Sequence, residues 1–599
     1  MVSRFLVTTA LEETWPEDPE TPVLFLGEWC RLYSRKERWS RMNAEVLPYH
    51  WDDRKKLYKD YLCLLDLYER LLPAVGEKLN QLHKVDHSVR YWRILIGPWL
   101  GYFIQMLFDR WTMLKRAFEE HDMSGWRVLE KNQSALIPKD MEDFIRHFLE
   151  DNWNEAIYSQ LLREHLQSDI TVEEIKVSNG QTNQLHQTNN QLEIWATKLK
   201  RSIANVRVKS KRWSKSSDEY FFISSSLSQL MEKKLQLRLG QKPQSWESIP
   251  VPQVAVDMKM RHWMIDKNDL FDKFSNIVNW MIPRHMPAAY LEGYKSLVDC
   301  IKKLPWPERP RCIFTCSAYN SDDVFKAWAA EKTEDGIPLV IGQHGGHFGM
   351  TPWSFQEEHQ INVADAYISW GWSDEKKPQI VPVGNLKAFD RPVDYNPKGS
   401  ALMVETTFPR YSYWMFASPV AGQWLSYFED QCRFISALPE NLHQQVLVRL
   451  YKHDYGWCQK ERWIKRFPHI QLDSGHQLIR TLAKKSRLYI STYNATTYLE
   501  SLAWNIPTIM FWNSNHWELR EGVIPYFKVL KSAGIFHESP EGAAQQMTAV
   551  WDDVSTWWES EAIQNTRREF CERFSHIPEK PLDKLETVLR NIAIQRAMN

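Results

Sequence analysis

Side chains able to bind a nucleotide occur together between Arg487 and Trp512. An apolar run, 488–490, leads there into hydroxyl and amide residues, and a helical pattern carrying Glu500 follows before a second apolar run. This order predicts a βαβ unit whose helix start favours an anion, and the Glu500 carboxylate can accept hydrogen bonds from a ribose diol. An ordinary crossover in which Thr496 only caps a helix is the alternative. The residues expected to hold the nucleotide are Ser491, Asn494, Thr496, Thr497 and Glu500.

A second loop of chemical interest has the sequence QHGGH, residues 343–347, and directly follows the apolar run 337–342. Its glycines let a backbone approach a ligand closely and expose the neighbouring amides. His344 is placed to act as a base or to donate to a phosphate, although a single loop histidine is more often not catalytic. We expect His344 to face the loop 491–497, because both loops follow parallel strands. The residues expected to contact the donor here are Gln343, Gly345 and Gly346.

The predicted strand 444–450 delivers two cations that are assigned to the leaving phosphate. The guanidinium of Arg449 suits phosphate geometry, and Lys452 adds a second positive charge. A surface pair beside a turn is the alternative interpretation. The sequence offers no DxD loop for a metal ion. We therefore predict no metal site and no cofactor.

Acidic residues near the N-terminus provide other candidates for the catalytic base. Glu28 follows the apolar run 22–27, at the position where α/β folds place ligand-binding residues. Asp52 and Asp53 precede a helical pattern, where an aspartate often serves only as an N-cap. Any of these carboxylates could replace His344 as the base, or act as a covalent nucleophile if configuration is retained.

Length and composition limit the class of protein. A chain of 599 residues exceeds what one core usually supports, so two or more domains are expected. The 75 basic and 75 acidic residues balance, which gives no sign of a nucleic-acid partner. The eight cysteines are scattered without a CxxC pair, and this distribution favours a reducing cytoplasm. The N-terminus lacks a signal-peptide pattern, and the longest apolar run, 94–108, is shorter than the roughly twenty residues of a membrane span.

Several longer segments position these loops. Residues 54–118 show helical periodicity, the polar and proline-rich segment 390–397 predicts a hinge, and 578–599 predicts an amphipathic helix. The segment 179–191 is polar and predicts a surface loop. The run 198–215 has eight basic and no acidic residues. It is typical of a solvated face, but it would also attract an anionic acceptor or the inner face of the cytoplasmic membrane.

Three N-terminal segments carry a resemblance to a known group of proteins. The segments GEWC (27–30), YHWDD (49–53) and RYWRILIGPWL (90–100) together resemble the predicted sugar transferases of bacterial O-antigen and other surface-polysaccharide clusters. The loop after 490 is similar to the donor loop of GT-B glycosyltransferases. The QHG loop resembles that of capsule Kdo transferases and of teichoic-acid glycerophosphate polymerases.

The resemblance implies an α/β fold of the GT-B type, with two Rossmann-like domains facing a cleft. Residues 1–390 would form the acceptor domain, enlarged by a helical insertion at about 54–118. Residues 391–577 would bind the nucleotide-sugar, and 578–599 would cross back to the first domain. The hydroxyl-rich segment 405–407 matches the GT-B loop against donor phosphate, which adds Thr406 to the expected ligands.

The function implied is sugar transfer to a surface polysaccharide, a lipopolysaccharide or a lipid-linked glycan at the cytoplasmic face of the membrane. CMP-activated acids such as Kdo or a nonulosonate are the expected donors, by likeness to the capsule enzymes. The alternatives are transfer of a polyol phosphate from a CDP-alcohol, and a nucleotide-binding partner of polysaccharide assembly without catalysis.

Overall fold

The computed structural model describes residues 2–130, 133–166, 171–175, 219–265, 272–389, 393–412 and 415–598. The expected surface loop 179–191 and the basic run 198–215 lie outside the described residues. The first part of the expected hinge, 390–392, does so as well.

Sixteen strands are present among the described residues. In chain order they are β1 (Arg4–Val7), β2 (Val23–Phe25), β3 (Ala44–Val46), β4 (Met123–Leu129), β5 (Thr171–Ile175), β6 (Phe221–Ile223), β7 (Ile313–Thr315), β8 (Leu339–Gly342), β9 (Ala366–Ser369), β10 (Ile380–Pro382), β11 (Ser400–Val404), β12 (Val446–Arg449), β13 (Gln471–Asp473), β14 (Ser486–Ser491), β15 (Thr508–Phe511) and β16 (Phe536–His537).

The α-helices alternate with the strands. In chain order they are α1 (Lys36–Trp39), α2 (Arg54–His83), α3 (Val89–Glu120), α4 (Met141–His147), α5 (Asp151–His165), α6 (Gln229–Arg238), α7 (Lys273–His285), α8 (Tyr294–Ile301), α9 (Ala318–Ser321), α10 (Asp323–Glu334), α11 (Phe355–Val363), α12 (Trp424–Ala437), α13 (Glu440–His443), α14 (Gln459–Arg466), α15 (Ile479–Ala483), α16 (Thr496–Ala503), α17 (Ile524–Ser532), α18 (Pro540–Val550), α19 (Val554–Trp558), α20 (Glu561–Phe574) and α21 (Pro581–Met598).

The strands form three sheets in which the neighbouring strands pair in parallel. The first sheet has the order β3-β2-β1-β4-β5, the second β10-β9-β8-β7-β6, and the third β13-β12-β11-β14-β15-β16. The third order is that of a doubly wound nucleotide-binding sheet. The second and third sheets face each other through the loops at the carboxyl ends of their strands, so the predicted GT-B arrangement is confirmed.

The first sheet is an addition that the sequence did not separate from the second. The predicted helical region corresponds to α2 and α3, which connect β3 to β4. Helix α3 is buried along most of its length, and a Cβ built at Gly101 would lie 1.8 Å from the Phe355 ring of α11. The first two sheets consequently share one hydrophobic core around α3, whereas the third has its own.

The last helix returns to the second sheet. Leu585 and Leu589 of α21 are buried in one cluster with Phe222 and Phe314 of β6 and β7. Arg238 of α6 pairs with Asp583 and Glu586 of α21. No helix within the described ranges is long and apolar enough to cross a membrane.

Candidate active site

The two loops singled out in the sequence meet where the second and third sheets face each other. A Cβ built at Gly346 would lie 2.2 Å from the carbonyl oxygen of Ala495, so only glycine allows this approach. His344 lies two residues before Gly346. Its Cα is therefore within about 10 Å of the loop 491–497, given the reach of an extended chain.

Helix α16 begins at this junction without a capping side chain. Its N-cap is Ala495, which offers no side-chain acceptor, whereas α2, α3 and α11 are capped by Asp53, Ser88 and Ser354. The amides of its first turn therefore remain available to an anion, which the helix dipole also favours.

Asn494 adds a donor beside this helix start. Its Oδ1 accepts a hydrogen bond from the Tyr498 hydroxyl at 3.0 Å, which orients the amide. Its Nδ2 is buried and has no partner in the described part of the chain. An unpaired buried donor is costly, so Asn494 is suited to donate to a ligand.

Glu500 lies one turn into α16 and is buried. Burial raises the pKa of its carboxyl to about 7, and the nearby ammonium of Lys387 lowers it only in part. A buried carboxyl with a pKa near 7, beside a helix N-terminus that has no capping side chain, is typical of a functional site rather than of a structural ion pair. Its contact with a ribose diol stays a prediction.

Lys387 is a site residue that the sequence analysis did not identify. It lies in a 3₁₀ turn, Leu386–Ala388, between β10 and β11, and its side chain is exposed. Its charge acts on both Glu500 and His344. The only signal in the sequence is its place just after the apolar run of β10, where the chain leaves the second sheet.

His344 has one nitrogen turned inward and part of its ring open to the junction. Its Nδ1 is buried and unpartnered among the described residues, and its ring packs near those of Tyr319 and Phe348. Burial, assisted by the positive charge of Lys387, lowers the pKa of His344 to about 3. The imidazole is thus neutral at physiological pH and able to accept a proton.

The side chain of Gln343 is hydrogen-bonded within the protein and stabilises the conformation of this loop. Its Oε1 accepts hydrogen bonds from the Trp370 amide at 3.0 Å and from the Trp372 indole at 2.8 Å, and its Nε2 donates to the Gly345 carbonyl at 2.7 Å. Both lone pairs of the side-chain oxygen are used in these bonds. The side chain therefore fixes the backbone that carries His344.

Arg449, the last residue of β12, and Lys452 differ in their surroundings. Nη2 of Arg449 donates to the carbonyls of Gly475 and Gln477, each at 3.0 Å, while its buried Nε has no hydrogen-bond partner in the described chain and lies 3.9 Å from Oδ1 of Asp473. Arg449 therefore orders the loop after β13 and keeps one donor. Lys452 is exposed.

The expected hydroxyl ligands of the third sheet also differ in whether their side chains already form hydrogen bonds. Ser491 is buried and donates to the Tyr493 carbonyl at 3.3 Å, and Thr497 donates to the Tyr493 hydroxyl at 2.9 Å. Thr496 and Thr406 are half-buried, and the Thr406 amide donates to the Tyr427 hydroxyl at 3.0 Å.

Glu28 and Asp52 lie at the carboxyl edge of the first sheet. Glu28 pairs with Arg31, and Asp52 accepts a hydrogen bond from Gln423 at 3.1 Å. The neighbouring Asp53 is the N-cap of α2. Within the described ranges, the hydrogen bonds and ion pairs of these acids do not involve the QHGG loop or the loop 491–497.

Further ion pairs fasten this first-sheet edge to the third sheet. Asp151 pairs with Arg410 at 2.8 Å, and Arg54 pairs with Glu518 at 2.7 Å. Although burial alone would raise it, the Arg410 guanidinium holds the pKa of Asp151 below its usual range. We call these two pairs the first-sheet clamp.

No group of three or more His, Cys, Asp or Glu side chains is arranged to hold a metal ion within the residues that the structure describes. The positive charge of Lys387 acts on Glu500 and His344, and that of Arg449 acts on Tyr493 of the loop 491–497.

Two solved structures show what the chain is similar to. A variant of the wall teichoic acid polymerase TagF, soaked with CDPG, is 10% identical with a TM-score of 0.30, covering 68% of this chain and 98% of that chain. LpCGTa in complex with UDP is 12% identical with a TM-score of 0.28, covering 63% and 91%. At such low TM-scores, the strand order described above defines the fold.

Membership of a family follows from the sequence as a whole. No curated protein sequence matches the chain significantly. The family model described as "LIC12162 family transferase" matches residues 4–589, which is nearly the full length of the chain. The expectation of a transferase is thereby confirmed, and the chain belongs to the LIC12162 family of transferases.

Proposed function

We propose that the chain is a metal-independent glycosyltransferase that moves a sugar from a nucleotide donor to a surface glycan or its lipid-linked precursor. The observation that carries this proposal is the convergence of Lys387 on both Glu500 and His344, beside the uncapped start of α16. One cation, one ribose acceptor and one neutral base are then present at a single junction.

In this mechanism the donor phosphate binds at Lys387 and the amides of α16, and its ribose hydroxyls bind Glu500. Positive charge and amide dipoles fixed in advance stabilise the phosphate as it leaves. The acceptor hydroxyl lies against His344, which takes its proton as the new glycosidic bond forms. Proton uptake is easiest at that moment, because the leaving phosphate places negative charge beside the imidazole.

The proposed donors are CMP-activated acids such as Kdo or a nonulosonate, on the strength of the QHG loop alone. The reaction is placed at the cytoplasmic face of the membrane, where lipid-linked precursors are available. The second and third sheets provide the two sides that acceptor and donor require.

A screen of nucleotides and nucleotide-sugars by thermal shift tests this proposal. We expect one nucleotide class to raise the melting temperature, since a ligand that binds only the folded state stabilises it. The donor of that class should be hydrolysed slowly without an acceptor. Stabilisation by a CDP-alcohol would instead indicate polyol-phosphate transfer, and binding without hydrolysis would indicate a non-catalytic partner.

Lys387→Ala provides the decisive variant in that screen. Losing a charge-assisted contact should weaken donor affinity by about 1.5 to 3 kcal/mol. Lys528→Ala, at an exposed lysine of α17, serves as the matched control and should leave affinity unchanged. Equal affinity in both variants would contradict the proposed phosphate site.

A further inference from the structure

Two residues beside the imidazole of His344 can offer it hydrogen-bond acceptors. The side chain of Gln360 and the backbone carbonyl of Cys316 lie against the imidazole. The amide of Cys316 already donates to the Ser224 carbonyl at 2.9 Å, so this residue offers only its oxygen.

Gln360 also offers an oxygen, because its amide orientation is fixed. It is fully buried in α11, and its Nε2 donates to the Gln356 carbonyl at 2.9 Å. Its Oε1 is buried with no partner in the described structure, and the same holds for Nδ1 of His344. The contact between Gln360 and the imidazole thus brings a side chain with an unpartnered buried acceptor against a ring with an unpartnered buried nitrogen.

We propose that Gln360 is a positioning residue that holds His344 as the Nδ1–H tautomer and leaves Nε2 as the proton acceptor at the junction. A bare Nδ1 would set a lone pair against two acceptor oxygens, which is unfavourable in a buried environment. We expect the hydrogen bond between Gln360 and His344 to shorten when substrate binds, as catalytic hydrogen bonds commonly do.

The catalytic consequence rests on the function proposed above. Nε2 takes the proton of the acceptor hydroxyl, the oxygen bonds to the sugar carbon, and the phosphate leaves with the electrons of the broken bond. The imidazole then carries a positive charge, and its Nδ1–H bond to Gln360 strengthens. Gln360 therefore acts on the rate through His344 without touching substrate.

The tautomer can be measured without assuming any activity. In the full chain labelled with ¹⁵N-histidine, two-bond ¹H–¹⁵N correlation distinguishes Nδ1–H from Nε2–H imidazoles, and His344→Gln identifies the signal. We expect a single Nδ1–H tautomer in the wild type and a mixture in Gln360→Met. An Nε2–H tautomer in the wild type, or an unchanged tautomer in the variant, would overturn the assignment.

Kinetics supply a readout that a purely structural role would not change. Gln360→Met should lower kcat at least tenfold with little change in the donor KM, the pattern of an interaction made in the transition state. Gln360→Glu should recover part of that rate and move the acid limb of the kcat profile up by at least about one pH unit, since a nearby carboxylate raises a base's pKa. Wild-type kcat in Gln360→Met, or no displaced limb in Gln360→Glu, would overturn the proposal.

Gln431 offers a matched control for both variants. It is also a buried helical glutamine, its Nε2 donates to the backbone carbonyl of Tyr427 at 3.1 Å, and its Oε1 has no partner among the described residues. Gln431→Met should reproduce the stability change of Gln360→Met without the change in the His344 tautomer. An equal change in the tautomer would reduce Gln360 to a packing residue.

The two proposals fail in different ways. If the tautomer changes in Gln360→Met while His344→Ala keeps full turnover, the base is wrong and the pairing of Gln360 with His344 stands. If His344→Ala loses its rate while Gln360→Met keeps both tautomer and rate, only the role of Gln360 is wrong.

Discussion

Two edges of the molecule face the third sheet, and both consist of polar residues that follow buried parallel strands. At the first-sheet edge, Asp151 and Arg410 satisfy each other, as do the other two members of the first-sheet clamp. At the second-sheet edge and in the third-sheet loop that meets it, His344 and Asn494 keep buried nitrogens without partners in the described chain, and Glu500 has a raised pKa.

This difference separates two roles that look the same in sequence. Matched charges hold two layers together, whereas unpaired donors and a destabilised carboxyl lower the stability of the fold and are retained where a ligand uses them. We therefore interpret the first-sheet edge as a fixed support and the second-sheet edge as the site. Five experiments test this contrast, and the first four run from the largest expected effect to the smallest.

Removing half of the first-sheet clamp should destabilise the protein most. Asp151→Ala leaves the Arg410 guanidinium, which is 8% exposed, without its carboxylate, and breaking such a pair costs about 3 to 5 kcal/mol. Urea unfolding measures this change. Glu541→Ala, which breaks the exposed pair with Arg433, is the control and should cost less than about 1 kcal/mol.

Nucleotide affinity in folded Asp151→Ala should equal that of the wild type. A large loss of affinity with little loss of stability would mean that the first-sheet edge, with Glu28 and Asp52, is the binding site.

Glu500→Gln should stabilise the protein in a pH-dependent way. Burial raises the pKa of Glu500 from 4.5 to about 7, so its ionisation opposes folding, and this penalty develops as the pH rises from about 4.5 through 7. The variant should gain roughly 3 kcal/mol over the wild type at pH 8, at about 1.4 kcal/mol for each pKa unit, and little at pH 4.5. Melting temperatures of the two proteins at the two pH values measure the gain. An equal difference between variant and wild type at both pH values would show that the pKa of Glu500 is not raised.

Glu500→Ala should weaken nucleotide binding by about 1 to 3 kcal/mol, the cost of losing hydrogen bonds to a charged group. Calorimetry on the folded variant measures this change. Unchanged affinity would remove Glu500 from the ribose site.

Chelation should have the smallest effect. Because the phosphate is assigned to Lys387 and the amides of α16, turnover should persist in excess EDTA. A loss of activity that magnesium or manganese restores would reveal a carboxylate site that this account lacks.

The sequence predicted the elements better than their grouping. The periodicity of 54–118 and the apolar runs before residues 343 and 491 marked the helices and strands correctly. The division of residues 1–390 into two sheets was not predicted, because strands such as β2, β6 and β7 have three residues and are buried on both faces. A buried three-residue strand has no alternation from which a sheet can be identified.

The site was predictable where a motif is local and not where it depends on distant partners. The loops of His344 and Asn494 follow strands directly. Gln343 looked like a ligand, but Trp370 and Trp372, which follow β9, occupy its oxygen. Lys387 looked like an ordinary surface lysine, and only the fold brings it to Glu500 and His344.

The most direct test of the contrast between the two edges is His344→Ala, assayed for both donor affinity and turnover. We predict that kcat falls at least about a hundredfold, the usual scale for a general base, while donor affinity stays nearly unchanged. A parallel loss of affinity would assign His344 to the donor phosphate. Turnover close to that of the wild type would contradict the account and transfer catalysis to the first-sheet edge.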